Sequence, residues 1–344
     1  MPRERKGPKD HGATIKDVAR VAGVSFSTVS RVVNQSKPVN EETRLRVLSA
    51  IRELNYVPNG LARGLQMRES RTLGVIMPEI GSSGAAQILQ GAENVARISG
   101  FTMMLMNTAA SVQRELASLS ILLQRQVDGA IWVAARFSDD HARWLERHRI
   151  PLVALAQDFT AHGLASVLVD NHGAARDATE LILSRGHRRV AMIAADPDDF
   201  AVGRERLRGF RETLAAHGVA DDDVAVVHGD VSSQDSGYQA MARLDAHRPT
   251  AVLAASDILA MGAMRHLLEH GRSIPGDVSI MGFDDLDVAS HPAMRLTTVA
   301  LDFVELGAVA TRTLVASIER PDASPERRVV PHRVVVRDTV GPPR

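Results

Sequence analysis

The chain has 344 residues, with 41 basic and 41 acidic side chains, no cysteine, 44% hydrophobic and only 3% aromatic residues. The missing cysteines exclude disulfides and cysteine-rich zinc sites. The polar opening MPRERKGPKDHG is not a secretory signal and no run approaches the ~18 apolar residues of a membrane span, so a cytoplasmic location off the membrane is expected. The balanced total hides an asymmetry: residues 1–71 hold 14 Lys/Arg against 7 Asp/Glu, a net of +7, and the remainder holds 27 against 34, a net of −7. A basic arm on an acidic body points to a polyanionic partner for the arm alone.

Residues 1–13 mix charge, Gly and Pro without periodicity and read as a disordered tail. Order begins at Thr14, a candidate N-cap. Three helices are then expected: Ile15 to Ala22, closed by Gly23; Phe26 to Asn34, with Val29, Val32 and Val33 on one face; and a third opening on Asn40-Glu41-Glu42, with Leu45, Leu48, Ile51 and Leu54 at helical spacing. Residues 14–58 form this unit, and residues 59–71 link it to a body spanning 72–344.

From Thr72 the pattern changes to strand-like apolar runs alternating with amphipathic helices. The runs are 73–77, 102–106, 129–133, 151–155, 165–169, 189–194, 224–227, 250–254 and 278–282. That alternation predicts an α/β fold with parallel sheets. The body also repeats itself: LQGAENVARISGFTMMLM and LRGFRETLAAHGVADDDVAVV each place one glycine inside a helix and another at its end, before a strand. Two similar lobes follow, with the chain changing lobe near 169 and near 300: lobe 1 about 72–169 and 300–328, lobe 2 about 170–299 and 329–340. Ligands in such folds bind beyond the strand C-termini, which makes a cleft between two facing lobes.

TIKDVARVAGVSFSTVSRVVN has the form of a helix-turn-helix. Val18, Ala19 and Ala22 pack the first helix and Val24 fills the corner. The second helix turns Ser27, Ser30, Arg31 and Asn34 outward, as a helix entering a major groove requires. This stretch, with LNYVPNGLARGL and the body motifs VDNHGAARDATELILSRGHRRVAMIA, RLRGF, ASDILAMGAM, IPGDVSIMGFDD and LTTV, resembles the LacI (lactose repressor) family of bacterial regulators over residues 14–340.

The resemblance implies a repressor that binds double-stranded, near-palindromic operator DNA as a homodimer. Its body would be periplasmic-binding-protein-like and hold a small-molecule effector, a carbohydrate or sugar derivative; no cofactor, metal or membrane is implied. It puts the base readers at Phe26 and Ser27, with Arg31 one turn later, among the DNA-facing residues Thr14, Ser25, Thr28, Ser30 and Asn34. Arg31 suits a guanine edge, and Phe26 offers apolar contact only. It also makes Asn59 the cap of a hinge helix carrying Ala62 and Leu65, with Leu65 as a minor-groove wedge.

In the body, Arg206 falls on the arginine that reaches the ligand and Asp284 on the carboxylate that takes its hydroxyls; alternatively the two pair across the lobes and hold the cleft shut. Further pocket positions depart from the family pattern. Ala156 stands in place of an aspartate, Ser256 in place of an asparagine, and Val231 where a ring often stacks; Asp257 and Gln157 are additional polar candidates. The loop GSSGAAQ is also less bulky than usual. An enzyme is disfavoured, since GxSxG, GxGxxG, GxxxxGK[ST] and HExxH are all missing and Asp284-Asp285-Asp287 alone is ordinary loop chemistry. The alternative is a solute-binding protein without DNA function.

Overall fold

The computed structural model describes residues 13–34, 37–56, 69–134, 137–197 and 200–344, and divides into two units, 1–71 and 72–344. The tail to residue 12 and the hinge positions Asn59, Ala62 and Leu65 lie outside the described residues.

In the first unit, α1 (Ile15–Ala22) begins with a capping box. The Asp17 amide donates to Thr14 Oγ1, while the Thr14 amide and hydroxyl donate to the Asp17 carboxylate. Those bonds from Thr14 hold the Asp17 carboxyl below its ordinary range. Gly23 at φ +64 takes the left-handed turn that closes α1 and lets α2 (Phe26–Asn34) follow at once. The third helix, α3 (Glu41–Glu53), starts where Asn40 Oδ1 accepts the Glu42 amide. Val18, Ala22, Val29, Val47 and Ala50 form the core, with Val24, Val32, Val33, Ile51 and Leu54 packed around it. One expectation is corrected. α3 buries the Val47–Ala50 stripe and leaves Leu45 52% exposed, because so small a core covers only one face of the helix.

The second unit contains two sheets. Its first lobe runs β1 (Thr72–Met77), α4 (Ser83–Ile98), β2 (Thr102–Asn107), α5 (Val112–Gln124), β3 (Gly129–Trp132), α6 (Asp139–Arg147), β4 (Leu152–Leu155) and β5 (Ala165–Val169). The chain then crosses at Asp170 into the second lobe: α7 (Asn171–Ser184), β6 (Val190–Ala194), α8 (Glu205–Ala216), β7 (Val224–His228), α9 (Gln234–Leu244), β8 (Ala251–Ala254), α10 (Asp257–Glu269), β9 (Ser279–Asp284) and β10 (Thr297–Leu301). It returns at Asp302 through α11 (Phe303–Glu319) and β11 (Arg327–Val330), then crosses a third time at Pro331 to β12 (His332–Val335). The sheet orders match strand for strand: β11-β5-β4-β3-β1-β2 in the first lobe and β12-β10-β9-β8-β6-β7 in the second. Among the described strands, only β12 is antiparallel to its neighbour. Two boundaries shift from those expected. Ala300 and Leu301 stay in the second sheet, and Val329 and Val330 stay in the first because they pair with Leu168 and Val169.

All three crossings leave from strand C-terminal ends, so those ends of the two sheets face each other. Asp170 and Asp302 cap the helices that receive the chain, accepting the amides of Gly173 and Glu305. Val169 and Phe303, beside the crossings, pack against the cores of both lobes.

The repeated helix glycines mark where helices meet. A Cβ on Gly91 of α4 would lie 1.9 Å from the Val304 carbonyl of α11, and one on Gly307 of α11 would lie 2.0 Å from the Ile88 carbonyl of α4. Gly209 of α8 lies as close to α7, at 2.3 Å from the His172 carbonyl. The terminal pair of the repeat, Gly100 and Gly218, both take positive φ. Gly91→Ala should therefore force α4 from α11 and lower unfolding stability by about 1–3 kcal/mol. Urea denaturation checks this, and an unchanged midpoint would show that the two helices part without cost.

Candidate nucleic-acid interface and ligand cleft

The outer face of α2 is polar at its start. Ser25 caps the helix, its Oγ accepting the Thr28 amide, and lies 2.8 Å from Ser27 Oγ and 2.9 Å from Thr28 Oγ1. With Val29 turned fully inward, Ser25, Phe26, Ser27 and Arg31 are exposed, Thr28 and Ser30 are half-buried, and Asn34 is the last residue of the helix. Phe26 is 45% exposed at the helix start, so its ring is not a core residue of this unit. Hydroxyls, a guanidinium and one exposed ring on a single helix end can reach both base edges and phosphates.

In the body, Arg206 is 4% exposed and its guanidinium is engaged on every side. Nε donates to Asn171 Oδ1 at 2.8 Å, Nη1 to the Ala255 carbonyl, and Nη2 to Asp284 Oδ1 at 3.4 Å, while the plane lies 3.7 Å over the Phe283 ring. Arg206 and Asp284 thus pair within the second lobe, not across the cleft. The long 3.4 Å contact leaves Asp284, at the C-terminal edge of β9, with acceptor capacity to spare. Asn171 and Phe283 were not singled out in the sequence; a polar residue opening α7 and a ring before the GFDD aspartate are the only traces they leave.

The remaining candidates separate. Asp257 is fully buried, accepting Thr298 Oγ1–H on one oxygen at 2.6 Å and the Leu286 amide on the other at 2.7 Å. It fastens the loop after Asp284 and does not face the cleft. Ser256 caps α10, accepts the Leu259 amide and donates to the Val231 carbonyl, so its hydroxyl ties two strand ends together. Val231 is half-buried beside a cavity of about 610 Å³ that also involves His228, Asp230 and Ser236. Gln157 turns inward to the Ala134 carbonyl.

Ala156 follows β4 at φ +72, and Asp284, the last residue of β9, and Asp285 just after it lie at φ +106 and +55. β4 and β9 are the matching strands of the two sheets, so each lobe holds left-handed, non-glycine backbone at the same cleft-facing edge. Such backbone is costly and concentrates at functional sites.

These features can be set beside known proteins. A model of the bacterial regulatory proteins of the lacI family matches residues 14–59, and one of the periplasmic binding protein-like domain matches residues 179–340. Catabolite control protein A of Priestia megaterium is 32% identical over 328 residues, covering 95% of this chain and 98% of that protein. The chain belongs to the LacI family. This LacI-family protein is also 35% identical over 328 residues to a ribose operon repressor of Halalkalibacterium halodurans, covering 95% of the chain and 96% of the relative. Among solved structures, the lac repressor dimer bound to operator and the anti-inducer ONPF superposes with a TM-score of 0.88 at 28% identity, covering 96% of this chain and 100% of the other. The CelR–cellobiose complex follows at 0.70 and 33% identity, covering 95% and 99%. The LacI-family chain is accordingly a DNA-binding transcriptional regulator and not an enzyme. Among the described residues, no helix is long and apolar enough to cross a membrane.

Two carboxyls at this edge titrate unusually. Burial, with the Asp284 charge nearby, pushes Asp257 up to about 7; burial likewise pushes Asp284 up to about 6, against the pull of Arg206. An unfolded aspartate titrates near ~3.9, so between about pH 4 and 7 the folded state holds protons the unfolded chain has released. The stability from these two groups is greatest at low pH and falls as pH rises through that window. Asp257→Asn, which cannot titrate, should gain thermal stability relative to the parent protein as pH rises across it. A difference that stays flat would mean Asp257 is ionised in the folded protein throughout.

Proposed function

We propose that this regulator represses transcription in the cytoplasm as a homodimer on a near-palindromic operator, and that a sugar or sugar derivative in the cleft between its lobes releases or tightens that hold. The exposed face of α2 carries the reading, with its cap of hydroxyls and its unburied Arg31. Phe26, Ser27 and Arg31 are assigned to base edges. Thr14, Ser25, Thr28, Ser30 and Asn34 are assigned to the DNA backbone, and Asn59, Ala62 and Leu65 to a hinge that enters the minor groove. The relatives solved with operator, cellobiose or ribose support the two kinds of ligand.

For the effector we assign Asp284 as hydroxyl acceptor, Arg206 as its fixed neighbour, and Ala156 and Val231 as walls. Ser256 and Asp257 support that edge from behind. The lac repressor, solved as a dimer on operator, supports pairing of two bodies.

Arg31→Ala should weaken operator binding by about 1–3 kcal/mol and relax preference at one base pair per half-site. Titrations against single-base operator variants decide it: an equal loss on every sequence would make Arg31 a phosphate contact. Asp284→Ala should leave operator affinity nearly intact and remove the effector's influence on it. In the parent protein, effector affinity should fall by up to about tenfold per pH unit below about 6, as Asp284 takes up its proton and loses its accepting charge. Calorimetry from pH 5 to 8, with the sugar identified by thermal-shift screening, measures this; a pH-independent affinity would remove the Asp284 carboxylate from the site.

A further inference from the structure

The first lobe holds a cavity of about 510 Å³ that the effector reading leaves unused. Its walls are residues 149–152 leading into β4, residues 163–165 leading into β5, the C-terminal half of α11 and the 320–326 loop. Because β1, β3, β4 and β5 run parallel, these strand starts share an edge with Thr72, where the chain enters the body. The effector cleft lies at the opposite, C-terminal edge.

Three features mark the cavity as built for a ligand. Thr313 lines it, is 4% exposed, and its Oγ1 has no hydrogen-bond partner among the described residues. Its neighbours on α11 show what is missing: Thr311 and Ser317 donate to the carbonyls of Gly307 and Thr313. A buried hydroxyl left unbonded is unfavourable and rare in native proteins. The second feature is charge. Arg149 and Arg320, both solvent-exposed, line the cavity and form no ion pair among the described residues. Of the two carboxylates there, Glu326 is already taken by Arg328, which leaves Asp322 against two guanidinium groups. The third is an apolar wall of Ile150, Leu152, Leu164 and Pro321. The size falls within the ~300–1,000 Å³ of small-molecule sites.

We propose that this cavity is a second ligand site, for a small organic acid. Its carboxylate lies between Arg149 and Arg320, its apolar body lies on the Leu152–Leu164 wall, and Thr313 Oγ1, covered while the cavity is empty, turns outward to meet a polar atom of the ligand.

The test uses the full-length protein and 4-fluorobenzoate, followed by fluorine NMR line broadening. Saturable binding is expected. It should weaken about tenfold in Arg320→Gln, which loses a charge-assisted hydrogen bond. It should vanish in Ala316→Trp, which fills the cavity, and persist in Asp284→Ala. Thr313→Val keeps the volume, so it should fold at least as stably as the parent and still bind the probe less tightly; it keeps the test decisive if Ala316→Trp misfolds. 4-Fluorobenzyl alcohol, uncharged, should bind more weakly than the acid. The proposal is overturned by absence of saturable binding, by unchanged binding in the cavity variants, by an alcohol that binds as well as the acid, or by loss of binding in Asp284→Ala, which would put the probe in the cleft.

Discussion

A buried guanidinium is tolerated only when its donors are answered, and Arg206 is answered by three different parts of the second lobe. The side chain comes from α8, yet its partners are the first residue of α7, the residue after β8 and the last residue of β9. Removing any one would leave a buried charge partly unpaired, which is far costlier than the bond itself. The arginine therefore fixes where the ends of β8 and β9 stand. Asp284 inherits a defined position, Phe283 is held flat beneath the guanidinium, and Asp257 secures the backbone beyond. The cleft-facing edge of this lobe is in effect one connected polar structure.

The two lobes solve the same packing problem in the same way. The first lobe has six parallel strands and the second five with antiparallel β12 added; each is entered by a helix that takes the chain over from the other lobe, and in each that incoming helix lies against the helix after the first strand. Close approach is possible because glycine stands at the contact: Gly91 and Gly307 in one lobe, Gly209 in the other. A further matched pair, Gly237 and Gly262, does the same between α9 and α10, where each Cβ would collide with backbone of the other helix. Where helices sit this close, an added methyl displaces a whole helix, so interior small residues govern the geometry of the strand ends.

The sequence conveys the helical head almost residue by residue, because caps and the Gly23 turn are local chemistry. It conveys nine strands of the body: seven are central parallel strands, buried on both faces and read as unbroken apolar runs, and the edge strands β2 and β7 are apolar runs as well, although less buried. β10, β11 and β12 escape it. LTTVAL is half threonine and valine, RRVV opens on two arginines, and their pairing joins residues far apart in the chain. Site residues divide along the same line. Thr14 is legible as a cap, whereas the capping role of Ser25 comes only with the structure. The partners of Arg206, and the inward role of Asp257, follow from tertiary packing that no local pattern encodes. Leu45 illustrates the reverse error, an apolar position at helical spacing that the small core does not reach.

The three crossings also bear on how the chain is made. The first lobe needs residues 303–330 to complete its sheet, and the second needs β12, which lies beyond even those. Most of the body is off the ribosome before either can finish, so both wait for the last stretch to emerge, and long-range strand pairing is slow in any case. The head, by contrast, closes on contacts spanning a few dozen residues. A nascent or prematurely ended chain would therefore present a finished reading head on an unfinished body, with open strand edges exposed to chaperones and proteases. Translation errors late in the message would act less by removing a segment than by leaving two half-built lobes at once.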